Sequence, residues 1–382
     1  MGARCRPTDE GALDSESAFR FADDLGPAKI VHLHAPGAGL RAIVVVDNVA
    51  CGPAIGGVRM APDVSLEECV RLARAMTLKN AAAALPHGGG KSVIFADPAM
   101  AQGEKERVIR AFAAAIRDVS DYIPGPDMGT DEACMAWVDD EIGRAVGLPP
   151  ELGGIPLDEI GATGFGLAVA AEAAQGFCNL RLEGARVVVQ GFGAVGRHAA
   201  RFLAGKGAVL VAAADGRGAV HDAKGLDIDR LAALKDEGRS VADYPGGERL
   251  GREAVIDIEC DIWIPAARPD VIRKDNARRL KAVLVLQGAN IPATPEAEAI
   301  LAERGILSVP DFIANAGGVI CAAVEYAGGG KEEAFRAIGE RIRANTALVL
   351  REARVKSLLP RAAATAFALG RVRAAAAYRR WR

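Results

Sequence analysis

The chain has 382 residues, half of them hydrophobic and a quarter charged, and its 47 lysines and arginines against 49 aspartates and glutamates leave a formal net charge of -2. This length suffices for two or three domains and excludes a small scaffold held together by disulfides. The near-neutral charge and the 5% of aromatic residues disfavour a nucleic-acid-binding protein. No apolar run approaches the ~20 residues that a membrane span needs.

The cysteines indicate the cellular compartment. Seven are scattered along the chain, with neither a Cys-x-x-Cys pair nor the spacing of metal ligands. Isolated thiols in an odd number suit a reducing cytoplasm and predict no metal site. Residues 1–25 are polar and acidic, unlike a secretory signal, and are expected to form a loosely ordered leader. We therefore expect a cytoplasmic protein whose fold begins near residue 26.

Strands and helices are both predicted before residue 147. Apolar runs at 29–33 and 40–46, separated by turn residues, predict two strands. Ser65 is a candidate N-cap for a helix that runs to about residue 84, because Glu68 follows three residues later and apolar residues recur at helical spacing. The next predicted elements are a glycine-rich turn at 88–90, a short strand at 93–95, and helices at 104–117 and 131–145.

Chain breakers between residues 147 and 156 predict a linker, and the pattern changes beyond it. The predicted elements there are strands at 187–190, 209–213, 262–264 and 283–286, with helices from residue 195 and near residues 227–236. Apolar strands separated by helices are typical of a parallel sheet covered on both faces. From Gly330 the chain is predicted to be helical, with a break at Pro360.

A Gly-x-Gly-x-x-Gly motif directly follows the strand at 187–190 and opens the next helix. In this context Gly191 permits a tight turn, Gly193 lets the backbone approach a pyrophosphate, and Gly196 lets the helix pack on the strand. The helix N-terminus adds free amides and the positive end of a dipole. The predicted dinucleotide-binding residues are therefore those of the motif: Gly191, Phe192, Gly193, Ala194, Val195 and Gly196.

The next strand ends in Asp215, 19 residues after Gly196. A carboxylate at this position holds the 2′-hydroxyl of the adenosine ribose and repels a 2′-phosphate, which favours NAD over NADP. Arg217 follows two residues later and offers a cation to a phosphate. NAD is therefore the predicted cofactor, with NADP as the alternative.

The segment Gly88–Ser92 invites comparison with a phosphate-binding P-loop. That motif needs a glycine where Leu85 stands, and the residues after Ser92 look like a strand instead of a helix. The alternative is that the glycines bring the backbone in close and place Lys91 in a confined, dry setting. Burial lowers the pKa of a lysine, which is how a lysine becomes a general base near neutral pH.

Two further charged residues join Lys91. Lys79 lies on the otherwise apolar last turns of its predicted helix and is a candidate for binding a substrate carboxylate. Asp127 lies in a rigid turn, 124–130, ahead of the next helix. Singly, each has an ordinary structural explanation, as an exposed lysine or as a helix-capping aspartate. Together, the three residues predict acid–base chemistry.

From about residue 26 onwards, the set of motifs resembles the Glu/Leu/Phe/Val amino-acid dehydrogenase family, closest to its leucine/valine/phenylalanine branch. The resemblance is carried by the segment Gly52–Arg59 (GPAIGGVR), Lys79, the glycine-rich segment with Lys91, Pro126-Asp127, Ala162-Thr163-Gly164, the Gly-x-Gly-x-x-Gly motif, Gly288-Ala289-Asn290 and Ala314–Gly318. It implies reversible, NAD-dependent oxidative deamination of an L-amino acid to the 2-oxo acid and ammonia.

The resemblance also implies a role for each residue. Lys79 binds the α-carboxylate, Lys91 is the general base that activates water, and Asp127 is the proton partner of the amino nitrogen. The remaining implied contacts are Asn290 and Asn315 beside the substrate and nicotinamide, and Thr163 at the carboxamide.

Members of this family that use glutamate resemble one another in carrying a lysine where this chain has Ile55 and a serine where it has Ala322. Without those contacts, a buried side-chain carboxylate loses its hydration and gains no partner, at a cost of several kcal/mol. Ile55 and Ala322, with Gly125 and Val319 as further walls, therefore predict a pocket for leucine, valine, isoleucine or phenylalanine. Plain core packing is the alternative explanation of these side chains.

The resemblance implies an α/β fold with two domains across a cleft. Residues 26–148 are the substrate and oligomerisation domain, residues 149–328 a Rossmann-type, doubly wound NAD domain, and residues 329–382 helices that return to the first domain. The expected partners are an L-amino acid, its 2-oxo acid, ammonia and further copies of the chain in a homo-oligomer, with no nucleic acid and no membrane. Two alternatives stay open: a glutamate dehydrogenase, and a non-catalytic NAD-binding sensor.

Overall fold

A first β-sheet lies near the beginning of residues 19–379, the part of the chain that the computed structural model describes. Its strands are β1 (Lys29–Ala35), β2 (Leu40–Asn48), β3 (Ala54–Met60), β4 (Gly88–Ile94) and β5 (Tyr122–Pro126). They lie in the order β1-β2-β4-β3-β5. The pairs β1/β2 and β2/β4 are antiparallel, whereas β3 is parallel to both β4 and β5. The carboxyl ends of β3, β4 and β5 therefore meet at one edge.

A second sheet of seven strands follows. Its strands are β6 (Arg186–Gln190), β7 (Val209–Asp215), β8 (Gly218–His221), β9 (Glu248–Leu250), β10 (Ile262–Pro265), β11 (Leu284–Leu286) and β12 (Leu307–Val309). The order is β12-β11-β10-β6-β7-β8-β9, and all pairs from β12 to β7 are parallel. This arrangement confirms the predicted α/β fold with a Rossmann-type sheet.

Helices cover these sheets. Those before residue 180 are α1 (Leu66–Ala82), α2 (Gln102–Ala115), α3 (Glu132–Ile142) and α4 (Ala162–Ala174). Those after it are α5 (Ala194–Ala204), α6 (Ile228–Asp236), α7 (Pro295–Glu303), α8 (Asp311–Ala314), α9 (Gly317–Tyr326), α10 (Lys331–Lys356) and α11 (Pro360–Ala376). No helix within residues 19–379 is both long and apolar enough to cross a membrane.

Helix α1 begins where the sequence predicts. The Ser65 hydroxyl accepts a hydrogen bond from the backbone N–H of Glu68, and Cys69 and Ala73 are buried against the first sheet. An N-cap of this kind stabilises a helix by about 1 kcal/mol. Because the helix start is fixed, Lys79 is placed in the last turn.

The glycine-rich segment corrects one prediction. Residues 88–90 are not a turn but the first half of β4, and every residue of this strand is buried. A Cβ on Gly89 would lie 2.0 Å from the backbone nitrogen of Thr77 in α1. The glycines therefore allow helix α1 to lie directly on the strand that carries Lys91.

The two C-terminal helices contact different parts of the molecule. Helix α10 packs along α4, whereas α11 packs on α1 of the first domain. Arg341 of α10 and Arg371 of α11 donate hydrogen bonds to four carbonyl oxygens between residues 81 and 85, at the C-terminal end of α1. The end of α1 that holds Lys79 is thus fixed by the C-terminal helices.

The predicted leader lies mainly outside the described residues, which begin at Phe19. Of its last residues, Asp23 pairs with Arg74 of α1 at 2.8 Å, and the Asn48 side chain donates to the Leu25 carbonyl at 2.7 Å. Residues 23–25 are therefore attached to the first domain.

Candidate active site

The first sheet places Lys91 and Asp127 side by side. Lys91 lies on β4 and Asp127 directly follows β5, on the two sides of β3. Their side chains meet with Lys91 Nζ 2.7 Å from Asp127 Oδ2. A Cβ on Gly57, in the intervening strand, would lie 2.7 Å from Asp127 Cβ and 3.0 Å from Lys91 Nζ. Glycine at this position therefore makes room for the pair.

Arg59 is a second cation on the same carboxylate. Its Nε lies 2.9 Å from Asp127 Oδ2, the oxygen that also contacts Lys91, and its other end pairs with Glu68. Burial alone raises the pKa of Asp127, but the charges and hydrogen bonds of Lys91 and Arg59 outweigh it and lower the pKa to about 2. Asp127 is therefore ionised at neutral pH.

Lys79 approaches this pair from helix α1. It is 8% exposed, and its Nζ donates a 3.0 Å hydrogen bond to Asn290 Oδ1 of the second domain. Burial lowers the pKa of Lys79 to about 8, although the negative charge of Asp311 opposes the shift. Lys79 is thus a buried cation at neutral pH without a directly paired carboxylate among residues 19–379.

Asn290 and Asn315 form a polar group on the second domain. The Asn315 amide donates to the Gly288 carbonyl at 3.1 Å and to Asn290 Oδ1 at 3.3 Å. Its own oxygen, Oδ1, is buried and has no hydrogen-bond partner among residues 19–379. Buried acceptors are nearly always satisfied in native proteins. Asn315 Oδ1 is therefore an exception, and the Asn315 side chain lines the cleft described next.

One cleft, with a volume of about 540 Å³, connects these groups. It is lined by every residue predicted to contact the substrate or to act in catalysis, and by three of those predicted to contact the cofactor: Ile55, Lys79, Lys91, Gly125, Asp127, Thr163, Val195, Asn290, Asn315, Val319 and Ala322. Three carboxylates that the sequence analysis did not single out also line it: Asp131, Glu132 and Asp158. The cleft lies between the two domains.

One end of the cleft is apolar. Ile55 and Ala322 pack with Ile123 and Val146 as a separate cluster of buried apolar residues, and Ile55 is 3% exposed. A Cβ on Gly125 would lie 2.9 Å from Val146 Cγ2. The predicted pocket residues are thus brought together, and Val146 is an additional wall.

The Gly-x-Gly-x-x-Gly motif forms a turn at the carboxyl end of β6. Gly191 adopts a φ of 103°, in the left-handed region, and a Cβ there would lie 2.6 Å from the Ala267 nitrogen. The position of a Cβ on Gly193 is open, because no atom outside its chain neighbours lies within 4 Å. The Phe192 side chain is buried in the core, so only its backbone faces outward. The motif therefore leaves the space that a pyrophosphate needs above the start of α5.

A second cavity of about 380 Å³ adjoins this turn and is lined by Gly191, Phe192, Gly193 and Asp215 among others. Of the remaining motif residues, Val195 lines the substrate cleft, and Gly196 packs against the strand, where a Cβ would lie 2.2 Å from the Gly191 carbonyl oxygen. Ala194 opens α5. The motif thus spans both cavities, as a ligand with two nucleotide halves requires.

Asp215 lines the second cavity, and its carboxylate is already hydrogen-bonded within the protein. Oδ1 accepts from the Ser240 hydroxyl and the Arg217 amide, and Oδ2 accepts from Lys235 Nζ at 2.8 Å and from the Val241 amide. Burial opposes ionisation, but these donors lower the pKa of Asp215 to about 2. The negative charge of Asp215 is therefore already paired with a lysine.

Arg59 and Val146 are residues of this site to which the sequence alone gives no role. Arg59 is the single charge in the apolar run of β3, and a charge on such a strand signals a partner on a neighbouring strand. Val146 precedes the chain breakers of the linker and carries no local signal.

Comparison with known proteins agrees with this architecture. The sequence model described as Glutamate/Leucine/Phenylalanine/Valine dehydrogenase matches residues 153–380, and that of the family's dimerisation domain matches residues 27–144. The chain belongs to this dehydrogenase family. It is thus an oxidoreductase that acts on CH–NH2 groups with a nicotinamide dinucleotide, which favours the enzyme over the non-catalytic sensor.

The relatives of this dehydrogenase include both coenzyme types. The NAD-specific glutamate dehydrogenase of Staphylococcus aureus is 38% identical over 353 residues, which are 87% of this chain and 85% of that protein. The NADP-specific glutamate dehydrogenase of Saccharolobus shibatae is 40% identical over 294 residues, 73% and 69% of the two chains. A solved structure, the hetero-hexameric glutamate dehydrogenase of Thermus thermophilus in a leucine-bound form, has a TM-score of 0.82 and 34% identity, covering 91% of this chain and 89% of that one.

Proposed function

We propose that this dehydrogenase oxidises an apolar L-amino acid to its 2-oxo acid and ammonia, with NAD as the preferred acceptor. The observation that carries the proposal is the lining of the substrate cleft. Its only cations among the described residues are Lys79 and Lys91, and its closed end is formed by Ile55, Val146 and Ala322. Both cations are needed for the reacting end of the substrate, so none is left for a charged side chain.

Lys79 binds the α-carboxylate in this proposal. It is buried and protonated at neutral pH, and the Asn290 oxygen holds its ammonium group in place. A charge-assisted contact in a site shielded from water is strong and directional. Lys79 and Asn290 come from different domains, so the carboxylate is held where the domains meet.

Lys91 and Asp127 move the protons. Oxidation of the amine leaves a cationic imine, to which water must add before ammonia leaves. Once Lys91 has passed its own proton to Asp127, its neutral amine takes a proton from the attacking water, and the proton on Asp127 goes to the substrate nitrogen, which leaves as ammonia. Their 2.7 Å contact lets a proton pass between them, so base and acid are regenerated within one pair.

The residues at the second cavity fit a bound dinucleotide. When bound, NAD accepts the hydride from the substrate Cα. Gly191 and Gly193 leave space for its pyrophosphate, whereas Thr163 and Asn290 line the substrate cleft, in which the nicotinamide would meet the substrate. Closure of the cleft around both ligands excludes water from the hydride-transfer step.

Three carboxylates strengthen the case against an acidic substrate side chain. Asp131, Glu132 and Asp158 line the same cleft, and burial together with the charge of Glu132 raises the pKa of Asp158. A second substrate carboxylate would meet negative charges and apolar side chains in this cleft, and no further cation among the described lining residues. Stripping such a carboxylate of water without a partner costs several kcal/mol.

Glutamate is the second candidate, because the relatives named above are glutamate dehydrogenases. It would need a cation near Ile55 that closure of the domains brings in. Ile55→Lys separates the candidates, since it supplies that cation at the closed end of the pocket.

We further propose that the chain assembles into an oligomer through its first domain. Residues 27–144 match a dimerisation domain, and the similar Thermus thermophilus enzyme is hetero-hexameric. Strand β1 lies at the edge of the first sheet and is available for pairing.

The test is reduction of NAD, and separately of NADP, by the purified chain with L-leucine, L-valine, L-phenylalanine and L-glutamate. We expect turnover with the apolar amino acids, and in Ile55→Lys a gain for glutamate with a loss for leucine. Turnover with glutamate alone would overturn the proposed substrate class and keep the reaction. No turnover with any of them, while NADH still binds, would overturn the proposed reaction as well.

A further inference from the structure

Glu325 lies close to the substrate cleft but outside the acid–base site. It stands on α9, one turn beyond Ala322, and is 9% exposed. Its carboxylate has no ion-pair partner within the described part of the chain. Instead, Oε1 accepts hydrogen bonds from the amides of Gly147 at 2.7 Å and Leu148 at 3.1 Å, and Oε2 accepts from the Ile155 amide at 2.9 Å. The hydrogen bonds to this buried carboxylate thus all come from backbone N–H groups.

These three amides belong to the segment that joins the two domains. Residues 147–148 and residue 155 are the two ends of its run of chain breakers, so the Glu325 carboxylate holds both ends at once. Val146 immediately precedes this contact and forms a wall of the pocket. The Val146 amide also donates to the Pro124 carbonyl at 2.9 Å, beside Gly125.

The contacts connect the parts of the apolar pocket. Helix α9 carries Val319 and Ala322, the linker carries Val146, and β5 carries Gly125. We propose that Glu325 is a positioning residue that fixes these walls relative to one another and thereby sets which side chains the enzyme accepts, an inference that rests on the proposed apolar substrate. Glu325 lines neither the substrate cleft nor the dinucleotide cavity.

A carboxylate suits this task better than any neutral side chain. It offers only acceptors, and hydrogen bonds to an ionised acceptor are stronger than neutral ones. In Glu325→Gln, one oxygen remains to face Gly147 and Leu148, and the new NH2 group then faces the Ile155 amide, donor against donor. The substitution therefore releases one end of the linker while it keeps the shape of the side chain.

The first measurement is amide hydrogen exchange in the full chain. In Glu325→Gln, we expect exchange at Ile155 to be faster by about tenfold, the loss of one buried hydrogen bond, with smaller changes at Gly147 and Leu148. Unchanged exchange at all three amides would overturn the proposal that Glu325 holds the linker. If Glu325→Gln no longer binds NADH, Glu325→Asp takes its place, because it keeps the charge and is shorter by one methylene.

The second measurement is kcat and KM for L-alanine, L-valine, L-leucine and L-phenylalanine. We expect Glu325→Gln to lower the preference for leucine over alanine by about fivefold through KM, since pocket contacts of one or two methylenes are at stake, while kcat stays within about twofold. Glu172→Gln is the matched control, because it removes a glutamate that pairs with Lys206 and Arg343 outside the cleft. Its substrate preference should equal that of the wild type.

A uniform fall of kcat/KM for all four substrates would overturn the positioning role and leave Glu325 as a general stabilising residue. Failure of the proposed function is distinguishable from this result. If the wild type oxidises only L-glutamate, the apolar pocket fails, whereas exchange at Ile155 still decides whether Glu325 holds the linker.

Discussion

The carboxylates of Asp127 and Asp215 have similarly lowered pKa values but differ in how many of their oxygens accept hydrogen bonds from the protein. Each lies at the carboxyl end of a parallel strand, the first after β5 and the second at the end of β7. Burial disfavours the charge of both, and in both a lysine and further donors outweigh burial and lower the pKa to about 2. The two carboxylates are therefore equally ionised at neutral pH.

The difference lies in which oxygens are used. Lys91 and Arg59 both contact Oδ2 of Asp127, and its Oδ1 has no donor among residues 19–379. Both oxygens of Asp215 accept two hydrogen bonds each. A lowered pKa therefore does not distinguish these two carboxylates, whereas the acceptor positions left unused on Asp127 do.

The largest effect is expected from the lysine that accompanies Asp127. Lys91→Ala should lower kcat by about 10³-fold, because positioned acid–base groups contribute 10²–10⁴-fold. NADH binding should stay unchanged, since Lys91 lies outside the dinucleotide cavity. Steady-state kinetics with L-leucine and fluorescence titration with NADH measure the two quantities. Lys206→Ala, which removes a lysine paired with Glu172, is the control. A Lys91→Ala enzyme within tenfold of wild-type kcat would refute the proposed base.

Neutralising the two aspartates tests the comparison directly. Asp127→Asn should lower kcat by about 10²-fold, because the amide neither accepts a proton nor pairs with Lys91. Asp215→Asn should leave kcat at saturating coenzyme unchanged, because its carboxylate contacts only the protein. Parallel kinetic assays of the two variants suffice. Equal losses of kcat would show that the free Oδ1 of Asp127 has no special role.

The sequence predicts those elements of both domains that carry a strong local signal. Apolar runs and the glycine motif locate β6, α5 and β7, because each element carries its own periodicity or turn chemistry. Strand β3 and the first half of β4 carry no such signal, because glycines replace the alternating side chains that mark a strand. For the same kind of reason the sequence predicts a turn at 124–126, which is the end of β5 in the structure, since Pro124, Gly125 and Pro126 are typical of turns.

In the candidate active site, the residue types can likewise be predicted from the sequence, whereas the contacts between distant residues cannot. The residue types at Lys79, Lys91 and Asp127 can be read from the sequence because their chemistry is distinctive. The contact between Lys79 and Asn290 spans 211 positions, and that between Glu325 and Gly147 spans 178. Local patterns carry no information on contacts at such separations. The hydrogen bond from Lys235 to Asp215 depends on where α6 packs, and this packing is also a property of the whole fold.

Lys79, which is proposed to bind the substrate carboxylate, should give a pH dependence of intermediate size. Because the pKa of Lys79 is lowered to about 8, Lys79 loses its proton and its attraction for a carboxylate as the pH rises through 8. The affinity for isocaproate, a carboxylate without an amino group, should fall by up to about tenfold per pH unit above 8. Isothermal titration from pH 6 to 10 measures this affinity. Lys79→Arg keeps its charge over that range and should show no such slope, and a flat profile in the wild type would contradict the assignment.

The smallest effect concerns the lysine that accompanies Asp215. Lys235→Ala should expose the Asp215 charge to the ribose end of the coenzyme, and weaken NADPH binding by about threefold to fivefold more than NADH binding, because the pair is partly exposed to solvent. Asp215→Asn should act in the opposite direction, since it leaves Lys235 free to meet a 2′-phosphate. Fluorescence titration of both reduced coenzymes gives the four Kd ratios. Equal changes for NADH and NADPH in both variants would mean that this charge pair holds α6 in place and takes no part in coenzyme choice.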